Sequence, residues 1–235
     1  MPASSEVRPG WQNLILAGVG GQGVQTALEV LALAANEVGL TVHTFAPLSL
    51  ARLGGSACCH LRFGPVPTPR IAPGQADLLI VVEMSELLRV LPLARSGALA
   101  FISTWRRPPL AASLQGQLYP HQAMLATALQ HRGVTGIFVE PRCRDWSQAS
   151  KSASEGEEVP PGLLALYMLA VCCSATSLLP RTSLEKALAR LLAEQSGVAA
   201  QARRLLACGW QYGARLQLPL ERPEWNLSLG DQAGA

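Results

Sequence analysis

The chain has 235 residues, of which 49% are hydrophobic and 15% charged, with a formal net charge of +3. A chain of this length buries roughly 70–75% of its unfolded surface, so one large α/β domain, with or without a helical appendage, can fold without disulfides or metals. The charge excludes a nucleic-acid role, because Arg106, Arg107, Arg142, Arg144, Arg203 and Arg204 form no continuous basic stripe and only 5% of residues are aromatic, too few for a base-stacking platform.

Residues 1–11 are polar and short, with no apolar segment of a signal peptide, and read as a flexible N-terminus. A short apolar strand at 13–17 runs into a glycine-rich turn. The pattern then predicts a helix from Gln22 to Val38, with Val24, Ala27, Leu28, Leu31, Ala35 and Val38 on one face and Gly39 as its C′ residue. A second strand at 40–46, a loop at 47–56 holding Gly54 and Gly55, and an extended run at 57–63 follow. Residues 64–74 contain four prolines and must be a loop. The continuous apolar run at 77–82 is what a parallel strand covered on both faces requires. Residues 83–93 read as a helix with Met84, Leu87, Leu88 and Leu91 at helical spacing, then a strand at 98–103, a helix at 121–131 and a strand at 134–140. Strands alternating with helices predict a Rossmann-like α/β core over 12–141, a doubly wound, mostly parallel sheet.

Residues 142–160 read as a polar connector, 161–213 as C-terminal helices packing on the same domain, and 214–235 as a flexible tail. The helices are predicted at 161–179, 182–195 and 198–212, with Thr182 or Ser183 capping the second. The uncharged stretch 162–179 approaches a membrane span in length, yet it carries Ser174, Thr176 and Ser177, lacks a basic flank and stands alone. It is read as a buried core helix, with no membrane role.

The chemistry centres on Gly18, Gly20 and Gly23, a GxGxxG between strand and helix. Such a turn lets backbone N–H groups at the helix start face a phosphate, or serves packing alone. A nicotinamide enzyme needs an acid at the end of the second strand to hold the ribose, and Val42-His-Thr-Phe-Ala-Pro47 has none. Arg52 could meet an NADP phosphate, but no Tyr/Lys pair for hydride transfer is evident. Glu83 and Glu86 begin a helix after a strand, where carboxylates can face the crevice or simply favour the helix N-terminus. Gly54, Gly55 and Ser56 are a second flexible backbone segment that could lie beside the first turn.

The six cysteines, at 58, 59, 143, 172, 173 and 208, show no CxxC spacing. Cys58 and Cys59 must point to opposite faces of a strand. All six are read as buried, inert thiols suited to a reducing cytoplasm. His43, His60, His121 and His131 are dispersed, without ligand spacing. No catalytic residue and no metal ligand is assigned.

Three ordered blocks carry a more specific signal: Leu16-Ala-Gly-Val-Gly-Gly-Gln-Gly-Val24, then Leu53-Gly-Gly-Ser56 leading into His60-Leu-Arg-Phe-Gly64, and Ala76-Asp-Leu-Leu-Ile-Val-Val-Glu-Met-Ser-Glu-Leu-Leu-Arg89. Together they resemble the gamma-type domain of 2-oxoacid:acceptor (pyruvate/indolepyruvate:ferredoxin) oxidoreductases, most closely the indolepyruvate oxidoreductase beta subunit. Tyr119-Pro120 and the segment Cys208-Gly-Trp-Gln-Tyr-Gly213 also fit. The resemblance implies a subunit of a complex that oxidatively decarboxylates a 2-oxoacid, an aryl one such as indolepyruvate. It places thiamine diphosphate and the iron–sulfur clusters on partner subunits, and associates this domain with coenzyme A. By that analogy Gly18, Gly20, Gly21, Gln22 and Gly23 line a ligand-facing turn, with Gly54, Gly55 and Ser56 beside it. Two departures stand out: Leu53 occupies the place of a family arginine, and residues 145–161 replace an asparagine-bearing segment. Two other readings stay open, a non-catalytic binding or scaffold protein of the same fold and an NADP-linked Rossmann dehydrogenase.

Overall fold

A computed structural model describes residues 12–47, 55–106, 119–143, 156–193 and 196–218. Strand β1 (Asn13–Val19) enters the glycine turn and helix α1 (Val24–Glu37) leaves it. Strands β2 (Val42–Phe45), β3 (Ser56–Phe63), β4 (Ala76–Val81), β5 (Ala94–Ser103) and β6 (Thr135–Val139) complete a six-stranded sheet of order β2-β3-β1-β4-β5-β6. β1, β4, β5 and β6 are mutually parallel, in the register Leu14 to Leu78, Leu78 to Leu99 and Leu99 to Thr135. The expected α/β fold with a mostly parallel sheet is therefore present.

The sequence pattern did not disclose the place of β3. It is antiparallel to both β1 and β2 and separates them. Its connection from β2 holds ten residues, 46–55, which is shorter than the dozen or more that a parallel crossover needs. Connection length, and not apolar periodicity, carries this information.

Alternation along the central strands fills two cores. Leu14, Leu16, Leu78, Ile80, Leu99 and Phe101 face one side; Ile15, Ala17, Leu79, Val81, Ala100 and Ile102 face the other. Cys59 belongs to the first core and Cys58 packs on the second, the opposed placement that a strand imposes. The second side is covered by α2 (Leu87–Val90), flanked by 3₁₀ turns at Met84–Glu86 and Leu91–Leu93, and by α3 (Gln122–Arg132). The single helix expected over 83–93 is thus broken, and Pro92, at the start of the second 3₁₀ turn, is the reason. Leu88 is 43% exposed rather than buried with Met84, Leu87 and Leu91.

The first side is covered by α1 and by three C-terminal helices, α4 (Leu164–Thr176), α5 (Arg181–Leu191) and α6 (Ser196–Ala214). α4 is buried on every face from Leu164 to Cys173, as its all-round apolar sequence requires. At 13 residues it is about 20 Å long, short of the roughly 30 Å of a bilayer interior. Among the described residues no helix is long and apolar enough to cross a membrane. α1 ends in a Schellman arrangement, Gly39 (φ 79°) donating to Asn36 O and Leu40 to Ala35 O. α5 starts one residue earlier than its expected cap, at Arg181 after Pro180. Thr182 and Ser183 therefore lie inside the helix and neither caps it; the Ser183 hydroxyl instead donates to Pro180 O at 2.7 Å.

The two ends of the polar connector are paired as a small antiparallel ribbon, β7 (Arg142–Cys143) with β8 (Glu157–Glu158). One expectation about the cysteines is corrected here. Cys143 and Cys208 are joined by a disulfide, with Cα atoms 5.9 Å apart, because β7 runs alongside α6. Cys58, Cys59, Cys172 and Cys173 are free thiols. The expected flexible ends, 1–11 and most of the tail, at 219–235, lie outside the described residues, as do 144–155 of the connector.

Candidate functional site

The parallel strands β1 and β4 deliver the glycine turn and the Val82–Leu87 turn to the same end of the sheet, and β3, running the other way, begins there with Gly55 and Ser56. The three sequence blocks meet at this point through hydrogen bonds. Gln22, fully buried, folds its side chain back into its own turn: Oε1 accepts from Val19 N–H at 2.7 Å and Nε2 donates to Glu83 Oε2 at 3.1 Å. Gly20 N–H donates to Gly55 O at 2.8 Å. Ser56 Oγ donates to Glu86 Oε1 at 2.9 Å. The Tyr119 hydroxyl donates to Glu83 Oε1, and the Arg106 guanidinium lies 5.6 Å from the Tyr119 ring centroid.

Glu83 and Glu86 are both buried, at 0% and 1% exposure. Among the described residues Glu86 Oε2 finds no hydrogen-bond partner, and the Arg89 guanidinium lies 3.3 Å from it. Burial raises the Glu86 carboxyl above its ordinary range, against the Ser56 hydrogen bond and the Arg89 charge, which pull it down. Burial also raises Tyr119, with further upward pressure from its hydrogen bond to Glu83. The Cys58 thiol is pushed up to about 11 by burial and then by the Glu86 charge.

Two glycines of the motif, Gly18 and Gly23, have a visible steric reason. A Cβ on Gly18 would lie 2.8 Å from both Gln22 Oε1 and Val24 Cγ2. Gly23 has φ 77° and would bring a Cβ to 2.3 Å from Gly162 O, while Ala165 N–H at the start of α4 donates to Gln22 O at 3.1 Å. The left-handed Gly23 is also why α1 begins at Val24 and not at Gln22. Gly21 is exposed at the tip of the turn, with φ 93°. Gly20, Gly23, Gly55 and Ser56 are half-buried. Gly54, Leu53 and Arg52 lie outside the described residues.

The structure thus joins Gln22 and Ser56 to the two acidic residues of the third block, and adds Tyr119, which sequence reasoning noted only as part of the resemblance. The signal that could have found Tyr119 and Glu83 is position: both precede a helix at the strand C-terminal end, where α/β crevices form. Among the described residues no group of three His, Cys, Asp or Glu side chains is placed to hold a metal ion. His60, the only buried histidine described, spends Nδ1 accepting the Ile71 N–H at 3.0 Å.

A diphosphate does not fit inside this turn. The Gln22 side chain fills its interior, the Gly162 backbone packs on Gly23, and two buried carboxylates approach from β4. The dinucleotide geometry is lost for a second reason: β3 stands between β1 and β2, so the end of β2 is one strand removed from the turn it would serve.

Comparison with known proteins agrees with the three blocks. The family described as pyruvate ferredoxin/flavodoxin oxidoreductase matches residues 13–212. Indolepyruvate oxidoreductase subunit IorB of Archaeoglobus fulgidus is 35% identical over 155 residues, covering 66% of this chain and 76% of that protein. IorB of Pyrococcus horikoshii is 32% identical over 109 residues, covering 46% of this chain and 54% of its own. Among solved structures, pyruvate oxidoreductase subunit PORC of Thermotoga maritima superposes with a TM-score of 0.57 at 18% identity, covering 86% of this chain and 96% of that one. The 2-oxoglutarate:ferredoxin oxidoreductase of Magnetococcus marinus gives a TM-score of 0.60 at 16% identity, covering 88% of this chain and 31% of that much longer one. Together with the convergence of its three motif blocks, the match across 13–212 shows that the chain belongs to the pyruvate ferredoxin/flavodoxin oxidoreductase family.

Proposed function

We propose that this chain is the IorB-type subunit of a 2-oxoacid:ferredoxin oxidoreductase that oxidatively decarboxylates an aryl-2-oxoacid such as indolepyruvate. In this reading thiamine diphosphate and the iron–sulfur clusters reside on partner subunits of a cytoplasmic complex. The observation that carries the reading is the hydrogen-bonded knot of Gln22, Glu83, Ser56 and Glu86. It ties together all three blocks on which the likeness to IorB rests. The knot is built for shape: apart from Glu86 Oε2 its polar groups are turned on one another, and what it offers outward is a rim of Gly21, Gly55, Tyr119 and Arg106.

A coenzyme A diphosphate does not match the filled interior of the turn, so no step of the reaction is drawn through coenzyme A on this chain. The chain's own contribution is to present a rigid docking rim to the subunit that carries the reaction. Purification from the native host tests the proposal. Thiamine- and cluster-bearing chains are expected to co-elute, with indolepyruvate-dependent reduction of ferredoxin; a solitary monomer in its own host overturns it. Calorimetry of the isolated chain with coenzyme A is expected to show no heat. A micromolar site blocked by Gly21→Val would return the ligand-facing role to the turn.

A further inference from the structure

The six cysteines fall into two chemically different sets. Cys172 and Cys173 are fully buried within α4, and Cys59 is 4% exposed in the core beneath β3. Burial raises all three thiols, Cys59 to about 11, and raises Cys58 to about 11 as well. Thiol–disulfide exchange proceeds through the thiolate and needs access, so Cys59, Cys172 and Cys173 are withheld from it on both counts and the partly exposed Cys58 by its raised thiol alone. Cys143 and Cys208 differ. Their Cα atoms are 5.9 Å apart, within bridging range, and Cys208 is partly exposed on α6, although Cys143 itself is buried at 2% exposure.

The bridge is a covalent link between two elements that are each also anchored on α4. α6 rests on α4 with its glycines against the α4 backbone: a Cβ on Gly209 would be 2.6 Å from Tyr167 O, and one on Gly213 would be 2.3 Å from Val171 O. The β7–β8 ribbon is held separately, by Tyr167 Oη donating to Arg142 O at 3.2 Å and by Val159 N–H donating to Pro141 O at 3.0 Å. Opening the disulfide would leave both elements anchored on Tyr167, whose ring also meets Tyr212 of α6, but without the covalent link between them.

We propose that Cys143 and Cys208 form a reversible thiol–disulfide switch that clamps the β7–β8 ribbon to helix α6 under oxidising conditions and releases it under reducing ones. Closure consumes a low-molecular-weight disulfide. The Cys208 thiolate attacks one of its sulfurs, forming a mixed disulfide and expelling one small thiolate. The Cys143 thiolate then attacks the Cys208 sulfur, forming the protein bridge and expelling the second. Two protein thiols are oxidised, one small disulfide is reduced to two thiols, and the two thiol protons pass to the leaving groups. A small dithiol reverses both steps.

The test uses the purified full chain, reduced and then equilibrated in glutathione buffers from fully reduced to fully oxidised, with free thiols trapped by an alkylating reagent and located by peptide mass spectrometry. Cys143 and Cys208 are expected to lose reactivity together and reversibly, while the buried Cys59, Cys172 and Cys173 stay unlabelled until the chain is denatured and Cys58 labels to an extent that does not change with the buffer. Closing a loop of 65 residues should also raise Tm by on the order of 10 °C in the oxidised wild type and not in Cys208→Ser. The proposal is overturned if native reduced chain fails to close the bridge, if a small dithiol cannot open it without denaturant, or if Cys58 or Cys59 is the thiol that responds. Should Cys208→Ser fail to fold, the wild-type labelling pattern decides alone.

Discussion

Gln22 shows how a residue that reads as ligand-facing can be consumed by the fold. Both ends of its amide are engaged inside the protein, on Val19 N–H and Glu83 Oε2. Gln22→Leu keeps the volume and strands a buried backbone donor, and it removes one donor from a buried carboxylate. Each such loss costs about 1–3 kcal/mol, so denaturant unfolding should show a drop of about 3 kcal/mol. Glu86 makes the complementary pH prediction. Its folded-state carboxyl is raised, chiefly by burial, so the ionised form is disfavoured in the native chain. Below the unfolded value both states hold the proton and the burden vanishes; stability is lost as pH rises through the folded value. Glu86→Gln, which keeps an acceptor for Ser56, should therefore match wild type at about pH 4 and exceed it in Tm at about pH 8. A variant less stable at the higher pH would show that the Arg89 pair outweighs burial. Sequence alone disclosed these residues as motif members. It could not disclose that Gln22 and Glu83 face each other, because that contact depends on the register of β1 against β4, in which Leu16 pairs with Ile80.

At the scale of elements, glycines separate conformational need from steric need. Gly39 and Gly23 both have φ near 78°, yet a Cβ on Gly39 would meet nothing within 4 Å while one on Gly23 would strike Gly162 O. Gly39→Ala should cost about 1 kcal/mol, the strain of a left-handed alanine. Gly23→Ala should cost at least about 3 kcal/mol and disturb the start of α4, readable as lost amide protection at Ala165. In α6 the usual rule inverts. An alanine normally gains about 1 kcal/mol over glycine within a helix, but Gly213→Ala should destabilise because the α4 backbone is already in contact. Most elements were legible: α1, α4 and the central strands announced themselves by periodicity or by unbroken apolarity. What was not legible followed from interactions that periodicity does not encode, namely the antiparallel insertion of β3, the break at Pro92 and the pairing of the connector's two ends.

For the whole molecule, composition and topology point to the same working state. A chain with 15% charged residues has little polar surface with which to remain alone, which accords with life inside a complex. Displacement of β2 from β1 removes the ribose-binding corner of a dinucleotide fold, and a fluorescence titration with NADPH should accordingly show no binding. Saturable quenching would revive the dehydrogenase reading. The central position of α4 also bears on how the protein is made. One face of the sheet, with Leu14, Leu16, Leu78, Ile80 and Phe101, is covered by α1 and by a helix that begins only at Leu164. During synthesis every strand of the sheet therefore leaves the ribosome before this part of its cover does. At roughly 5–20 residues per second, the part of that face that α1 does not cover lies bare for several seconds while the C-terminal third is translated. Nascent chains halted before α4 should bind holdase chaperones and aggregate when released, and those extended through Leu206 should not. The helix that closes the core is thus also the step at which the newborn chain ceases to need protection.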